Sequence, residues 1–282
     1  MSVPRVLIIA GSDSGGGAGI QADIKTVTML GGFAMTAITA ITAQNTLGVQ
    51  AILPIPTEIV LAQIDAVASD IGVDAVKIGM IGDAVTARAV AERLDPARPG
   101  HEEAPPLKVV FDPVMVATSG SVLADAETIA AFELLMKRAT LVTPNLPELE
   151  ALTGRTIADV DGLLAAAHEL ADRAGTAVLA KGGHLPGEET IDLLVFGPRP
   201  SGSASWSDPR IDTRHSHGTG CTLSSAVATL LGQGMEMPHA ITRARAYVRA
   251  AMLAAPGFGA GHGPLGHALG LVPFDDIHRK DQ

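Results

Sequence analysis

Short apolar runs alternate with helical spacing along nearly the whole chain. RVLIIA (5–10) is an unbroken apolar run of strand length, and AGIQADIKTVTML (18–30) sets its apolar residues at helical intervals. FAMTAITAIT (33–42), rich in Thr and Ile, predicts a second strand. Residues 57–69 predict a helix, DAVKIG (74–79) a strand, 83–94 a helix, and LKVVFD (107–112) a strand ending on a carboxylate. A helix near 125–138 leads to TLVTPN, another strand. A helix over 159–174 follows, then TAVLAKGG (176–183) as strand and turn, and TIDLLVFG (190–197) as strand. Two helices, about 219–232 and 238–254, dominate the last third. DPARPGHEEAPP (95–106) and GPRPSGSASWSD (197–208) read as surface loops. This alternation predicts an α/β protein: a three-layer α/β/α sandwich with a mostly parallel central sheet, in a single domain over 1–282. Ligands of such sheets sit off the carboxyl ends of the strands. The segments that follow strands here are GSDSGGGAG, AQN, KIGMIG, DPV, PNLPE and KGGH.

Composition narrows the picture. Hydrophobic residues make up 47% and aromatics 3%, so Ala, Val, Ile and Leu must build the core. A net charge of −10 with scattered Lys and Arg gives no sign of nucleic-acid binding; RARAYVR (243–249) reads as the polar face of a helix. No run of about 18 uncharged apolar residues predicts a membrane span, and the apolar run in MSVPRVLIIAGSDSG is too short for a signal peptide. A single cysteine excludes an internal disulfide and suits a reducing compartment, the cytoplasm.

Two glycine-rich turns carry the candidate chemistry. GSDSGGGAG (11–19) lets backbone approach a ligand closely, and Gly17 to Ala22 fits the loose dinucleotide pattern. That pattern needs an acidic residue about 20 positions on, and TAITAITA (36–43) holds no carboxylate. A phosphate-binding GxxxxGK[ST] loop fails as well, because Ile24 precedes Lys25. HGTGCTLSS (217–225) feeds an apolar helix, whose first amides and dipole make an anion site. The same field is expected to lower the pKa of Cys221. A small buried hydrophobe is the other reading of that cysteine. His215, His217, His262 and His267 sit in no HExxH or Cys/His framework; His217 and His262 read as parts of loops around a nucleotide rather than as zinc ligands.

The motifs AGSDSGGGAGIQADIKT, TAITAQNT, VKIGMIG, FDPVMVATSG, TPNLPELEAL, LAKGGH, HGTGCTLSSA and GHGPLGH occur in one order from residue 10 to 267. With these the chain resembles the ribokinase-like superfamily, and within it the hydroxymethylpyrimidine/phosphomethylpyrimidine kinases of thiamine biosynthesis. The resemblance implies ATP- and Mg²⁺-dependent phosphorylation of 4-amino-5-hydroxymethyl-2-methylpyrimidine and then of its monophosphate, by a homodimer acting on small molecules only. A pyridoxal/pyridoxine kinase is the nearest alternative. The chain ends soon after GHGPLGHA, so no fused thiamine phosphate synthase is expected. RHS before the second glycine turn departs from the usual Asn-Thr type.

The resemblance also implies roles. Gly218 and Gly220 would cradle the transferring phosphoryl group, with Cys221 as catalytic base where many relatives carry an acid. Gln44, whose amide donates and accepts at once, would bind the pyrimidine ring with Asp23, Gly11 and Met80. Lys181, Asn145 and Thr219 would meet the nucleotide. Asp112 and Glu148 would serve Mg²⁺, although Asn145 with Glu148 three residues on also fits an ordinary helix cap.

Overall fold

The computed structural model describes residues 3–95, 107–116, 120, 122–197 and 202–269. Eight strands form one sheet: β1 (Arg5–Ala10), β2 (Phe33–Ile38), β5 (Ala75–Ile78), β6 (Lys108–Phe111), β7 (Leu141–Val142), β8 (Ala177–Lys181), β9 (Glu189–Val195) and β10 (Ser203–Pro209). Their order is β10-β9-β8-β7-β6-β5-β1-β2. The six from β8 to β2 are parallel, and β9 and β10 add antiparallel at one edge. Parallel strands covered on both faces read as continuous apolar runs, and β1 shows how. Leu7 and Ile9 face a core shared with α2 (Thr57–Asp70), α3 (Ala84–Arg93), α4 (Ala126–Met136), α5 (Leu146–Thr153) and α6 (Val160–Ala174). Val6, Ile8 and Ala10 face a second core, built with α1 (Gly19–Met29), α7 (Thr219–Gly232) and α8 (Met237–Leu253). The three-layer architecture is the one the sequence predicts.

Three expectations are corrected. The strand expected over 33–42 breaks at Thr39, whose N–H donates to Ala10 O at 3.1 Å and whose hydroxyl donates to Met80 O at 2.7 Å. The chain then leaves the sheet as a separate hairpin of β3 (Ala40–Asn45) and β4 (Gly48–Pro54). Gln44 therefore lies inside a hairpin strand, at a register shift after Ala43, rather than in a loop after the second strand. The second half of the loop expected over 197–208 is the edge strand β10, exposed and half-buried by turns. Its Trp206 Nε1 donates to Thr242 Oγ1 at 2.8 Å, and its Asp208 pairs with Arg245 at 2.5 Å. Arg245 is accordingly buried instead of lying on a polar helix face. Except for residue 95, the segment read as a loop over 95–106 lies outside the described residues.

Candidate active site

One cavity of about 1340 Å³ opens at the carboxyl ends of the parallel strands. Its walls carry Gly11, Gln44, Met80, Asp112, Asn145, Glu148, Lys181, Gly218, Thr219, Gly220 and Cys221. Eleven residues expected from separate motifs thus share one space. Asp23 does not line it. Its fully buried carboxylate accepts from Lys77 Nζ at 2.8 Å and Ser225 Oγ at 2.6 Å, so it braces the floor rather than reading a ring.

The two glycine turns behave differently. Asp13 folds back into the first turn and accepts from the amides of Gly15 (2.8 Å), Gly17 (3.0 Å) and Ala18 (2.8 Å). The turn uses those donors internally, so it is not the anion site its glycines suggest. The second turn starts α7 with Gly218 at φ +88°, and helical geometry leaves the first-turn amides without intrahelical acceptors. Gly220 sits directly against a charged pair: a Cβ there would lie 3.3 Å from Asp112 Oδ2 and 3.4 Å from Lys181 Nζ. Asp112 Oδ1 accepts from Lys181 Nζ at 2.8 Å and Thr143 Oγ1 at 3.0 Å. Burial opposes the Lys181 charge, but Asp112 and Glu148 outweigh it and raise its pKa.

Asn145 and Glu148 form a reciprocal cap of α5. Asn145 Oδ1 accepts from Glu148 N at 2.9 Å, and Glu148 Oε2 accepts from Asn145 N at 2.8 Å. Both still line the cavity, and burial pushes the Glu148 carboxyl up to about 7. The thiol of Cys221 departs from its expectation. Burial pushes it up to about 11, against the pull of Lys77 and of the Gly19 amide, and the Asp23 and Asp112 charges push the same way. The helix N-terminus does not win at this site.

The chain matches the phosphomethylpyrimidine kinase family over residues 13–266. The chain belongs to that family. Curated relatives include the hydroxymethylpyrimidine/phosphomethylpyrimidine kinase of Rhizobium meliloti, 48% identical over 93% of this chain and 96% of the relative. The thiamine biosynthesis bifunctional protein ThiED of Geobacter sulfurreducens is 47% identical over 96% of this chain, which spans about half (54%) of that longer protein. Among solved structures, the ADP complex of a Bacillus subtilis pyridoxal kinase superposes with a TM-score of 0.82 at 34% identity, covering 95% of this chain and 98% of that one. The chain is thus a kinase, and its ribokinase-like fold is shared with pyridoxal kinases.

Two residues of the kinase cavity, Lys77 and Asp13, escaped sequence reasoning. Lys77 lies in a strand whose four residues are all buried, and its ammonium is fully enclosed. Burial opposes its charge, yet Asp23 first, then Cys221 and Asp112, raise its pKa, so it stays a cation beside the thiol. A lysine inside an otherwise apolar strand, DAVKIG, was the available signal. Asp13 was hidden by the glycines around it. His217, expected near a nucleotide, lines the cavity, bonds Asp13 at 3.0 Å and meets Gln44 at 3.2 Å.

Mg²⁺ is a family expectation that the donor set can test. Among the described residues no three His, Cys, Asp or Glu side chains form a cage. Asp112 Oδ1 and Glu148 Oε2 are engaged by protein donors, which leaves one carboxylate oxygen on each for an incoming ion. Hard oxygens in that number suit a Mg²⁺ that keeps several waters and takes phosphate oxygens, so the residues fit.

Proposed function

We propose that the chain transfers phosphate from ATP to the 5-hydroxymethyl group of 4-amino-5-hydroxymethyl-2-methylpyrimidine, then phosphorylates the monophosphate, supplying the pyrimidine half of thiamine phosphate. The observation that carries this is the single cavity. It holds Gln44 and Met80 together with Asp112, Lys181, Gly220 and Cys221, and its volume of about 1340 Å³ exceeds what one drug-sized ligand needs. A ring and a nucleotide can sit in it together.

Phosphoryl transfer asks for positioning and charge stabilisation more than for covalent chemistry. The amides of Gly218, Gly220 and Cys221 face the transferring group at the helix N-terminus, while the Thr219 amide donates to Ser216 O at 3.3 Å. Lys181, aimed by Asp112, supplies a positive charge at the same place, and Asn145 and Thr219 line the path of the nucleotide phosphates. Asp112 and Glu148 would hold Mg²⁺, which when bound would supply charge neutralisation at the phosphates. The thiolate form of Cys221 accepts the hydroxyl proton. Lys77 and Lys181 are kept as cations and Asp112 is engaged by Lys181, so none of them is a better base. Lys77 stands as counter-charge to that thiolate.

The kinase works as a cytoplasmic homodimer in this reading. Exposed Ile41, Leu47, Ile52 and Leu53 on the β3–β4 hairpin support an apolar self-contact. Among the described residues no helix is long and apolar enough to cross a membrane. A pyridoxal kinase is the second reading, favoured by the superposition on that enzyme. The deciding experiment follows ADP release with ATP and Mg²⁺ on hydroxymethylpyrimidine, its monophosphate and pyridoxal. Turnover of both pyrimidines with pyridoxal far behind is expected. Pyridoxal turnover without a second phosphorylation would move the chain to vitamin B6 salvage.

A further inference from the structure

Gln44 is held by its backbone before its side chain meets any ligand. Its N–H donates to Ser14 Oγ at 2.8 Å, and its carbonyl accepts from the same hydroxyl at 2.8 Å. The side-chain amide then lies between Thr42 and His217, both on the cavity wall. Which end of the amide faces which neighbour follows from proton counting.

Asp13 accepts three backbone amides in addition to the His217 contact. A carboxylate with that many amide donors is held ionised, and an ionised carboxylate only accepts. The His217 Nε2 at 3.0 Å from it must therefore carry a hydrogen. The same nitrogen lies 3.2 Å from Gln44 Nε2, which is also a donor. On the other side, Gln44 Oε1 lies 3.3 Å from Thr42 Oγ1. That hydroxyl already gives its one proton to Ser12 O at 2.8 Å, so two acceptors meet there. A half-turn of the amide exchanges its oxygen and nitrogen and satisfies both contacts at once. His217 Nε2–H is then shared between Asp13 Oδ2 and Gln44 Oε1, two acceptors around one donor, and Gln44 Nε2 donates to Thr42 Oγ1.

We infer that Asp13 and His217 fix the orientation of the Gln44 amide, carbonyl toward His217 and NH₂ toward Thr42, and thereby select the ring edge that the cavity accepts. The inference rests on the proposed role of Gln44 at the ring and deepens it. The locked amide leaves one N–H and one carbonyl lone pair, in a set order, for the ligand. A ring nitrogen beside an exocyclic amine presents the matching acceptor and donor. Pyridoxal, whose phenolic oxygen neighbours a methyl group, presents no such pair. An amide free to flip would serve either ring; a locked one rejects the mismatched edge by leaving polar groups unpaired. His217 and Asp13 are positioning residues in this scheme.

The test has a part that needs no variant. Long-range ¹H–¹⁵N correlation of the His217 imidazole in the wild-type protein is expected to show Nε2 protonated, and a bare Nε2 overturns the inference. Calorimetry of His217→Ala then compares hydroxymethylpyrimidine with its 4-desamino analogue. The Kd of the amino ring is expected to rise tenfold or more, with the loss falling on Kd rather than kcat, while the analogue binds wild type and variant within twofold. Equal weakening of both rings overturns the inference, because it means that His217 only packs the pocket. If His217→Ala does not fold, Thr42→Val takes its place with the same two ligands and the same criteria. A wild-type enzyme that turns over neither pyrimidine counts against the proposed function, and the protonation of Nε2 is still read independently.

Discussion

At the scale of single residues, Cys221 shows how competing terms are decided by magnitude. A helix N-terminus offers a partly buried anion up to about 2 kcal/mol, near 1.5 pKa units. Burial and the nearby carboxylates of Asp23 and Asp112 exceed that, even with Lys77 pulling the other way, and the thiol ends at about 11. The protein therefore rests with a neutral thiol, and only a small thiolate fraction is present at neutral pH. Because this is the only cysteine in the chain, its alkylation is unambiguous. The rate with iodoacetamide is expected to climb roughly tenfold per pH unit from 7 to 10 with no plateau, since the thiolate is the reacting form. A plateau near 8.5 would mean that the helix field and Lys77 prevail over burial. Residue types and motif order singled out eleven residues that share one cavity wall. The pairing of Asp23 with Lys77 was not legible, because a buried ion pair is a property of two stretches of sequence 54 positions apart.

At the scale of elements, the regular pattern was legible wherever burial enforces a period. Apart from the short α5, which no expected helix covered, the helices and parallel strands lie within a few residues of their expected bounds because each must present apolar side chains to one of two cores. The pattern failed where burial is one-sided or absent. The hairpin strand β4 is mostly exposed, and β10 alternates small polar residues, so neither shows a core-facing run. The turn before α7 is another local feature whose reason is tertiary. Gly218 has φ +88°, and a Cβ there would overlap the carbonyl of Gly17 from the other glycine turn. Gly234 has a similar φ of +84°, and a Cβ added there would meet nothing within 4 Å, so it isolates the backbone term. Gly234→Ala is expected to cost about 1 kcal/mol by urea unfolding and to spare turnover. Gly218→Ala must also part the two glycine turns, and is expected to lower kcat at least a hundredfold. Retention of half the activity by Gly218→Ala would show that the contact between the turns does not shape the anion site.

At the scale of the whole molecule, the segment after α8 closes the structure by returning to α7 and α8, two of the three helices of its layer. Gly266 N donates to Ala251 O at 2.9 Å, Tyr247 OH donates to His267 O at 2.9 Å, and His267 Nε2 meets Thr222 Oγ1 at 2.9 Å. Burial, helped by the charge of Lys25, lowers the His267 pKa to about 4 from its ordinary 6.5. The unfolded chain then binds more protons than the fold between those values. The contribution is fully present above pH 6.5 and is lost as pH falls toward 4, by about 2 kcal/mol between pH 7.5 and 5. Glu148 works in the opposite sense over nearly the same window. Its folded pKa of about 7 lies above its ordinary 4.5, so its stabilising protonation is lost as pH rises. The two nearly cancel, and the wild-type curve alone reveals neither. The difference between wild type and His267→Gln removes Glu148 and every other shared group. Wild type is expected to lose about 2 kcal/mol relative to His267→Gln when urea unfolding is moved from pH 7.5 to 5. A difference that stays constant with pH would mean that His267 titrates alike in both states, and that the closing segment is open to water in the folded protein.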